Sequence, residues 1–158
     1  PVPVPVPEAT MKAHYVLNFM RYVSWPGDLM PPRADRALTL CILGTDVVGT
    51  AAALMALERT GGGNVPIVSV LRVPHVRAAH GCHALFVAES EAHKMDHIWD
   101  NLGSSPVLVV ADAPAAQSAT ILLSLQDSRL VFDFNLDRAK AAQLQVSSKL
   151  LQLARSTR

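Results

Sequence analysis

The chain has 158 residues, half of them hydrophobic and 17% charged, which suits one domain with a substantial core and argues against disorder or a second domain. Its 14 basic and 13 acidic residues nearly cancel, so no long-range field attracts nucleic acid. No stretch reaches the roughly 18–20 apolar residues that cross a bilayer, so we expect no direct membrane insertion.

The beginning of the chain differs in composition from the rest. Residues 1–7 alternate proline and valine, and proline fixes φ and lacks an N–H donor. This pattern predicts an extended arm ahead of a single domain at residues 8–158.

The first predicted helix carries an aromatic stripe. Apolar residues spaced by three and four positions predict a helix over residues 8–23, which the sequence Trp25-Pro26-Gly27 ends. Three aromatic residues follow one another at i, i+4 and i+7 on this helix: Tyr15, Phe19 and Tyr22. Core packing is the simpler interpretation of the stripe, and a dimer or partner interface is the functional one.

Four apolar strands follow, separated by helices and turns. In chain order they cover residues 38–43, 65–73, 84–88 and 106–111. One connecting helix is predicted over residues 47–59, capped by Thr45 or Asp46, and another runs from its cap at Ser90 through Leu102. Strands as uniformly apolar as these are covered on both faces, which predicts a three-layer α/β sandwich with a mostly parallel central sheet.

The pattern changes after Pro114. Residues 120–125 and 130–135 are strand-like, and the second run includes a charge, so they predict a C-terminal antiparallel hairpin at a sheet edge. Short helices over residues 136–144 and 147–154 complete the predicted fold.

No motif indicates catalysis. The turn at residues 44–50 joins a strand to a helix, but it lacks the lysine of a phosphate-binding loop and the glycine spacing of a dinucleotide site. No serine lies in a G-x-S-x-G turn, and no two carboxylates form an obvious acid/base pair. We therefore expect a protein without enzymatic activity and without a cofactor.

Five of the six histidines lie within residues 75–97. His93 and His97 are four apart on a predicted helix, so both rings can face one metal, with Cys82 or His83 as a further ligand. Surface histidines without a metal are the simpler interpretation, because no companion motif such as H-E-x-x-H is present.

The two cysteines, Cys41 and Cys82, are compatible with two buried thiols or with one disulfide.

A candidate site for a partner or a small anionic ligand combines Trp25 with four polar residues: Asn135, Ser147, Ser148 and Lys149. The alternative is that Ser147 caps the last helix and Asn135 ends a strand.

Five segments follow one another in a recognisable order: residues 15–19 (YVLNF) with 24–26 (SWP), 40–44 (LCILG), 81–86 (GCHALF), 106–110 (PVLVV) and 131–137 (VFDFNLD) with 146–154 (VSSKLLQLA). Together they resemble the YfiR family of periplasmic proteins, over nearly the whole domain.

The resemblance implies a compact α/β protein that is exported to the periplasm after loss of a signal peptide outside this sequence. It also implies a homodimer that represses an inner-membrane diguanylate cyclase by binding its periplasmic domain, which lowers cyclic di-GMP and biofilm formation. Cys41 and Cys82 match the positions of a family disulfide. Two further family cysteines in the hairpin region are absent, and Gln145 and Ser147 stand where relatives have basic and histidine ligand contacts.

Three functional hypotheses follow from the sequence. The first is a repressor of a diguanylate cyclase, and the second is a periplasmic module that senses a small ligand and docks to another receptor, such as a histidine kinase. The third, which the sequence favours least, is a metal-dependent enzyme built on the histidine cluster.

Overall fold

A computed structural model describes residues 7–27, 37–46, 48–58 and 67–157 of the protein. The predicted extended arm, apart from Pro7, lies outside these residues. The described helices are α1 (Glu8–Arg21), α2 (Thr50–Glu58), α3 (Met95–Leu102), α4 (Leu136–Ala141) and α5 (Ser148–Leu153). The described strands are β1 (Val23–Ser24), β2 (Ala37–Leu43), β3 (Ile67–Val73), β4 (Ala84–Val87), β5 (Leu108–Ala111), β6 (Ile121–Gln126), β7 (Arg129–Phe134), β8 (Gln145–Val146) and β9 (Ser156–Thr157).

Seven strands form the central sheet, in the order β3-β2-β4-β5-β6-β7-β9. The first five of these strands are mutually parallel, while β6 and β7 form an antiparallel hairpin and β9 runs parallel to β7. The prediction of a mostly parallel sheet with an antiparallel hairpin near the C-terminus is thereby confirmed.

Side chains of successive strand residues enter two separate apolar clusters. Along β2, Leu40 and Ile42 pack in the cluster that contains α1 and α2 residues, whereas Cys41 and Leu43 pack in the cluster that contains α3 residues. This alternation follows from the two-residue period of a strand. Helices therefore cover both faces of the sheet, as the three-layer prediction requires.

The end of α1 differs from the prediction. The helix ends at Arg21, because Val23 leaves it to pair with Val146 in a two-stranded ribbon of β1 and β8. The helix predicted over residues 136–144 is also shorter: α4 ends at Ala141, and Gln143 adopts a φ of 60° before the chain enters β8.

The predicted cap at Ser90 is wrong. Residues Glu89–Lys94 form a 3₁₀ segment, the α-helix begins at Met95, and the Ser90 hydroxyl accepts the Thr45 N–H at 2.8 Å. Ser90 thus joins the loop after β4 to the loop after β2. At the other predicted cap, the Asp46 carboxylate accepts the N–H of Thr50, where α2 begins instead of at residue 47.

Candidate functional site

The aromatic stripe of α1 is partly core and partly surface. Phe19 is 2% exposed and its ring centroid lies 4.8 Å from that of Phe132 in β7. Tyr15 and Tyr22 are half-buried, and Tyr15 meets Phe19 edge to face at 6.2 Å. Phe19 thus belongs to the core, because the helix turns it inward, while the two tyrosines lie at the margin of the core and their part in an interface stays a prediction.

The aromatic residues of α1 form one wall of a cleft, and β7 and α5 form the opposite wall. The Ser147 side chain accepts the Lys149 N–H and caps α5, which orients Leu150 into the core. Leu153, one turn further on, is 69% exposed and is the most exposed large hydrophobic residue in the described part of the chain.

Between these walls lies a cleft of about 570 Å³, which we call the aromatic cleft. Its lining comprises Tyr15, Asn18, Phe19, Tyr22, Leu130, Val131, Phe132, Leu150, Leu153 and Arg155. The lining side chains with polar atoms are Asn18, the two tyrosines and Arg155. This lining can hold apolar side chains and offer a few hydrogen bonds, but it contains no nucleophile paired with a base.

Arg155 forms the charged margin of the aromatic cleft. Its guanidinium donates to both carboxylate oxygens of Asp133, and Nη1 donates to the Gln126 side chain at 3.3 Å. Hydrogen bonding to Asp133 and the charge of that carboxylate raise the pKa of Arg155. Asp133 is further held by the Ser156 hydroxyl at 2.7 Å. The cation is therefore oriented at the cleft and stays charged.

The residues proposed for an anionic ligand have other contacts. Trp25 is 4% exposed, and its indole N–H donates to the His83 carbonyl oxygen at 2.8 Å. The Asn135 side chain accepts the Arg138 N–H and caps α4. Asn135 follows β7, whereas His83 precedes β4, and β5 and β6 lie between those strands in the sheet. Asn135 and Ser147 thus act as helix caps, Trp25 belongs to the core, and Ser148 and Lys149 are exposed at the start of α5.

The two histidines considered for a metal both lie on the surface. His93 lies in the 3₁₀ segment and His97 in α3, both exposed, and they line different depressions of the surface. In the described residues, no three or more histidine, cysteine or acidic side chains gather where they could hold a metal ion.

Cys41 and Cys82 are joined in the disulfide that the resemblance implies. The bond joins β2 to the two residues that precede β4, Cys82 and His83. Next to it, His83 accepts the Thr39 N–H at its Nδ1 atom at 3.0 Å. The disulfide thus belongs to a buried strand connection and lies outside the lining of the aromatic cleft.

The sequence did not reveal the contribution of Asn18, Leu153 and Arg155 to the cleft. Leu153 and Arg155 belong to the end of α5 and the residues after it, and no local signal in the sequence places these residues beside α1. They become part of a site only because β9 pairs with β7 and holds the chain end beside the hairpin.

Comparisons with known proteins give one family. A family model described as YfiR/HmsC-like matches residues 9–155, and no curated protein sequence matches the chain. Within the described residues, no helix is long and apolar enough to cross a membrane.

Two solved structures share the fold. A conserved domain protein from Vibrio cholerae superposes with a TM-score of 0.64 at 10% identity, over 97% of this chain and 61% of that one. An ABC domain in complex with L-Trp from Streptococcus pneumonia superposes with a TM-score of 0.56 at 13% identity, over 77% of this chain and 55% of that one. The chain therefore spans less than two thirds of either structure, and at these identities the likeness concerns the fold alone.

Proposed function

Since the chain belongs to the YfiR/HmsC-like family, we propose that it inhibits an inner-membrane diguanylate cyclase by binding the cyclase's periplasmic domain at the aromatic cleft. Family membership supports a regulatory, periplasmic role in the cyclic di-GMP pathway. The identity of the partner, the inhibition and the contact surface are our proposal. The disulfide suits this location, because such bonds persist in the oxidising periplasm.

The observation that carries the proposal is the exposure of Leu153 beside an apolar, aromatic-lined cleft. Folding leaves this leucine 69% exposed, while Leu150 in the same helix is 2% exposed. Aromatic anchors with an arginine at the margin are the composition in which binding energy concentrates at protein interfaces. A partner that inserts an apolar side chain would cover Leu153 and the two tyrosines together.

The outer edge of β7 adds a second means of recognition. β9 pairs with β7 only at Asp133 and Phe134, and the backbone N–H of Arg155 bonds to the Phe132 carbonyl oxygen. In the described structure, residues Arg129 to Val131 have no strand partner on that side. An extended segment of the cyclase could add backbone hydrogen bonds there while its side chains enter the cleft.

The resemblance also implies a homodimer, and we propose that the protein is dimeric when it binds the cyclase. Light scattering of the purified protein measures this directly. A mass of one chain at micromolar concentration contradicts the dimer and leaves cyclase inhibition to be tested separately.

The function is tested by deleting the gene, measuring cyclic di-GMP and restoring the protein as variants. We expect the deletion to raise cyclic di-GMP, the unaltered protein to lower it again, and Leu153→Glu to fail. The matched control is Leu71→Glu, which places the same charge at a leucine 53% exposed on β3, at the other edge of the sheet. The strains that carry the unaltered protein, Leu153→Glu and Leu71→Glu must contain equal amounts of the protein.

The outcomes separate the function from the site. An unchanged cyclic di-GMP level in the deletion strain contradicts the repressor. A rise that Leu153→Glu reverses as well as the unaltered protein does contradicts the aromatic cleft as the docking surface, while the repressor stands.

The second candidate function is a module that senses a small ligand and docks to a different receptor. A separate cavity behind the last residues of β2, β4 and β5, lined by Asp46, Glu89 and Asp112, favours it. A gene for a histidine kinase next to this one, with cyclic di-GMP unchanged by the deletion, would support this candidate over the first.

A further inference from the structure

The proline-valine arm (residues 1–7) has a composition that predicts a specific kind of binding site. Its residues 1–6 lie outside the described residues, and Pro7 has a φ of −57° and a ψ of 144°, which are dihedral angles of the polyproline II helix. Each proline fixes its own φ, and the residue before a proline prefers the same extended region. The sequence PVPVPVP therefore favours polyproline II along the whole arm, so little conformational entropy is lost when it binds.

The aromatic cleft has the lining that binds such a segment. Proline-rich segments in the polyproline II conformation dock into grooves lined by aromatic side chains. Tyr15 and Tyr22 line the cleft beside the ring of Phe19, and Leu153 extends the apolar surface. The charge of Arg155 is compensated by its ion pair with Asp133, so the cleft suits an uncharged segment such as the arm.

Polar atoms of the cleft complement the backbone of the arm. A polyproline II helix has no internal hydrogen bonds, and proline has no N–H, so the arm has more carbonyl acceptors than donors. The cleft offers donors in the two tyrosine hydroxyls, the Asn18 amide and the Arg155 guanidinium. Three N–H groups of Arg155 bond to Asp133 and Gln126, and the remaining ones are oriented for a carbonyl at the margin.

An arm reaches the cleft of its own chain only by reversing direction. Tyr15 lies about 10 Å along α1 from Glu8, so the arm would have to turn back beside the helix. A type I turn needs helical dihedral angles at two successive residues, and a type II turn needs a positive φ. One of any two successive residues in the arm is a valine that precedes a proline, which disfavours both turns. The sequence therefore directs the arm away from its own cleft.

The start of α1 is held in place, so the helix does not unwind to lengthen the arm. Met11 donates its N–H to the Pro7 carbonyl oxygen at 3.1 Å. Lys12 Nζ lies 3.0 Å from Asp112 Oδ2, behind the end of β5, and 2.6 Å from Glu8 Oε2. The Lys12 and Asp112 side chains are 6% and 5% exposed, and breaking a buried pair of this kind is strongly destabilising.

We propose that the aromatic cleft binds residues 1–6 of a second copy of this chain, in the polyproline II conformation. Six residues of this helix extend over about 19 Å. The cleft runs for about 10 Å along α1, from Tyr15 to Tyr22, so the arm covers it and keeps a few residues to bridge the two copies. Each copy has one arm and one cleft, so the exchange is reciprocal and fits a two-fold homodimer.

Arm binding goes beyond cyclase inhibition and does not depend on it. Six residues bury far less surface than the roughly 1,200–2,000 Å² of a stable interface, so the contact is weak and gains occupancy when two copies already lie close together. A cyclase segment that enters the same cleft displaces the arm without separating a dimer held by other surfaces. The arm thus covers the exposed Leu153 as long as no cyclase is bound.

The first test is NMR of the full chain at millimolar concentration, in an equilibrated 1:1 mixture of ¹³C-labelled and unlabelled protein, filtered for contacts between copies. We expect contacts between the valine methyl groups of the arm in one copy and the rings of Tyr15 and Tyr22 in the other. Leu153→Glu should abolish these contacts, because it places a charge in the cleft. The matched control Leu71→Glu, on β3 at the other edge of the sheet, should retain them.

The second test is a titration of the full chain with a synthetic peptide of residues 1–7 that is blocked at both ends. We expect one peptide to bind per chain and to displace the contacts between copies. The same peptide with Pro3→Ala and Pro5→Ala should bind about tenfold more weakly, because it is less preorganised.

Three results overturn the proposal. Valine contacts confined to one copy would assign the cleft to the arm of the same chain, and the absence of valine contacts with either tyrosine would remove the arm from the cleft. Equal binding of the two peptides would indicate unspecific apolar attraction. Because both tests use the purified protein, none of these results bears on cyclase inhibition, and an unchanged cyclic di-GMP level in the deletion strain does not bear on arm binding.

Discussion

The two halves of the central sheet differ in how they are buried. In the parallel half, β2 to β5, every residue of β4 and β5 is buried. In the hairpin half, β6, β7, β9 and α5, buried and half-exposed residues alternate in β6 and β7, and the ends near the turn are exposed. The parallel half also contains the disulfide and carries the buried ion pair at its carboxyl edge.

This difference in burial determines where a small-molecule cavity and where a protein-binding surface can form. Within the parallel half, β4 and β5 are buried along their whole length, so these two strands can present only their ends, beside a small cavity lined by Glu89 and Asp112. The hairpin half is covered less completely, so it presents a side-chain surface and a free backbone edge large enough for a protein. Under the proposed function, the scaffold and the docking surface thereby lie in two parts of one sheet.

The largest expected effect comes from reducing the disulfide. Cys41 and Cys82 close a loop with a sequence separation of 41 residues, and the chain-entropy relation gives a loss of about 4 kcal/mol in the free energy of unfolding. Urea denaturation with and without reductant measures the loss, and hydrogen exchange should show β2 and β4 losing protection. The double variant Cys41→Ala/Cys82→Ala should be insensitive to reductant. Two alkylated thiols in unreduced protein would contradict the bond itself.

The next effect comes from breaking the buried ion pair. Lys12→Met leaves Asp112 buried without its cation, and we expect a loss of about 3 kcal/mol in the free energy of unfolding, because an uncompensated buried charge is strongly destabilising. The double variant Lys12→Met/Asp112→Leu should recover most of this loss, because it removes the uncompensated charge. Lys149→Met, at an exposed lysine, should change stability by less than about 0.5 kcal/mol. Equal losses in the single and double variants would show that lost packing, not charge, dominates.

The parallel half was predictable from sequence and the hairpin half only in outline. Strands such as residues 106–111 are apolar throughout, so their type and coverage follow from composition alone. β1, β8 and β9 are two residues long and have no such pattern. Their existence depends on tertiary pairing, such as that of Val23 with Val146, which no local signal in the sequence specifies.

The candidate sites were also predictable only where a local sequence pattern marks their residues. The aromatic stripe is periodic and was found, but its partner wall comes from residues more than 100 positions later in the chain. Lys12 and Asp112 were missed because a lysine in a helix and an aspartate after a strand are each ordinary. Their pairing at 3.0 Å is visible only once α1 packs over the end of β5.

A smaller effect concerns pH in the range where carboxyl groups titrate. Because the pKa of Asp112 is raised on folding, the folded protein holds this proton at pH values at which the unfolded chain has lost it. The contribution of Asp112 to stability therefore falls as pH rises from the ordinary aspartate pKa through the raised one. In Asp112→Asn this fall is absent, so the variant should gain stability relative to the unaltered protein as pH rises above the ordinary aspartate pKa of about 3.9. Urea unfolding across that range checks the sign, and a difference that is constant with pH would contradict it.

The smallest expected effect is a gain in the stability of the hairpin half. β6 and β7 are joined by a two-residue turn, Asp127-Ser128, and both residues adopt positive φ, of 52° and 65°. This is the type I′ geometry that matches the twist of a hairpin, and it strains any residue with a Cβ. The strand-like runs in the sequence predicted a longer connection, because an aspartate-serine pair is a weak turn signal compared with asparagine-glycine.

Ser128→Gly relieves the strain at that position, and glycine's greater freedom in the unfolded chain offsets part of the gain, leaving about 0.5–1 kcal/mol. Ser128→Ala, which removes the hydroxyl and keeps the Cβ, should give no gain. If the hairpin opens independently of the parallel half, Ser128→Gly should raise hydrogen-exchange protection in β6 and β7 and leave that of β4 and β5 unchanged. A uniform rise over all four strands would mean that the sheet opens as one unit, and the division into scaffold and docking surface would then be wrong.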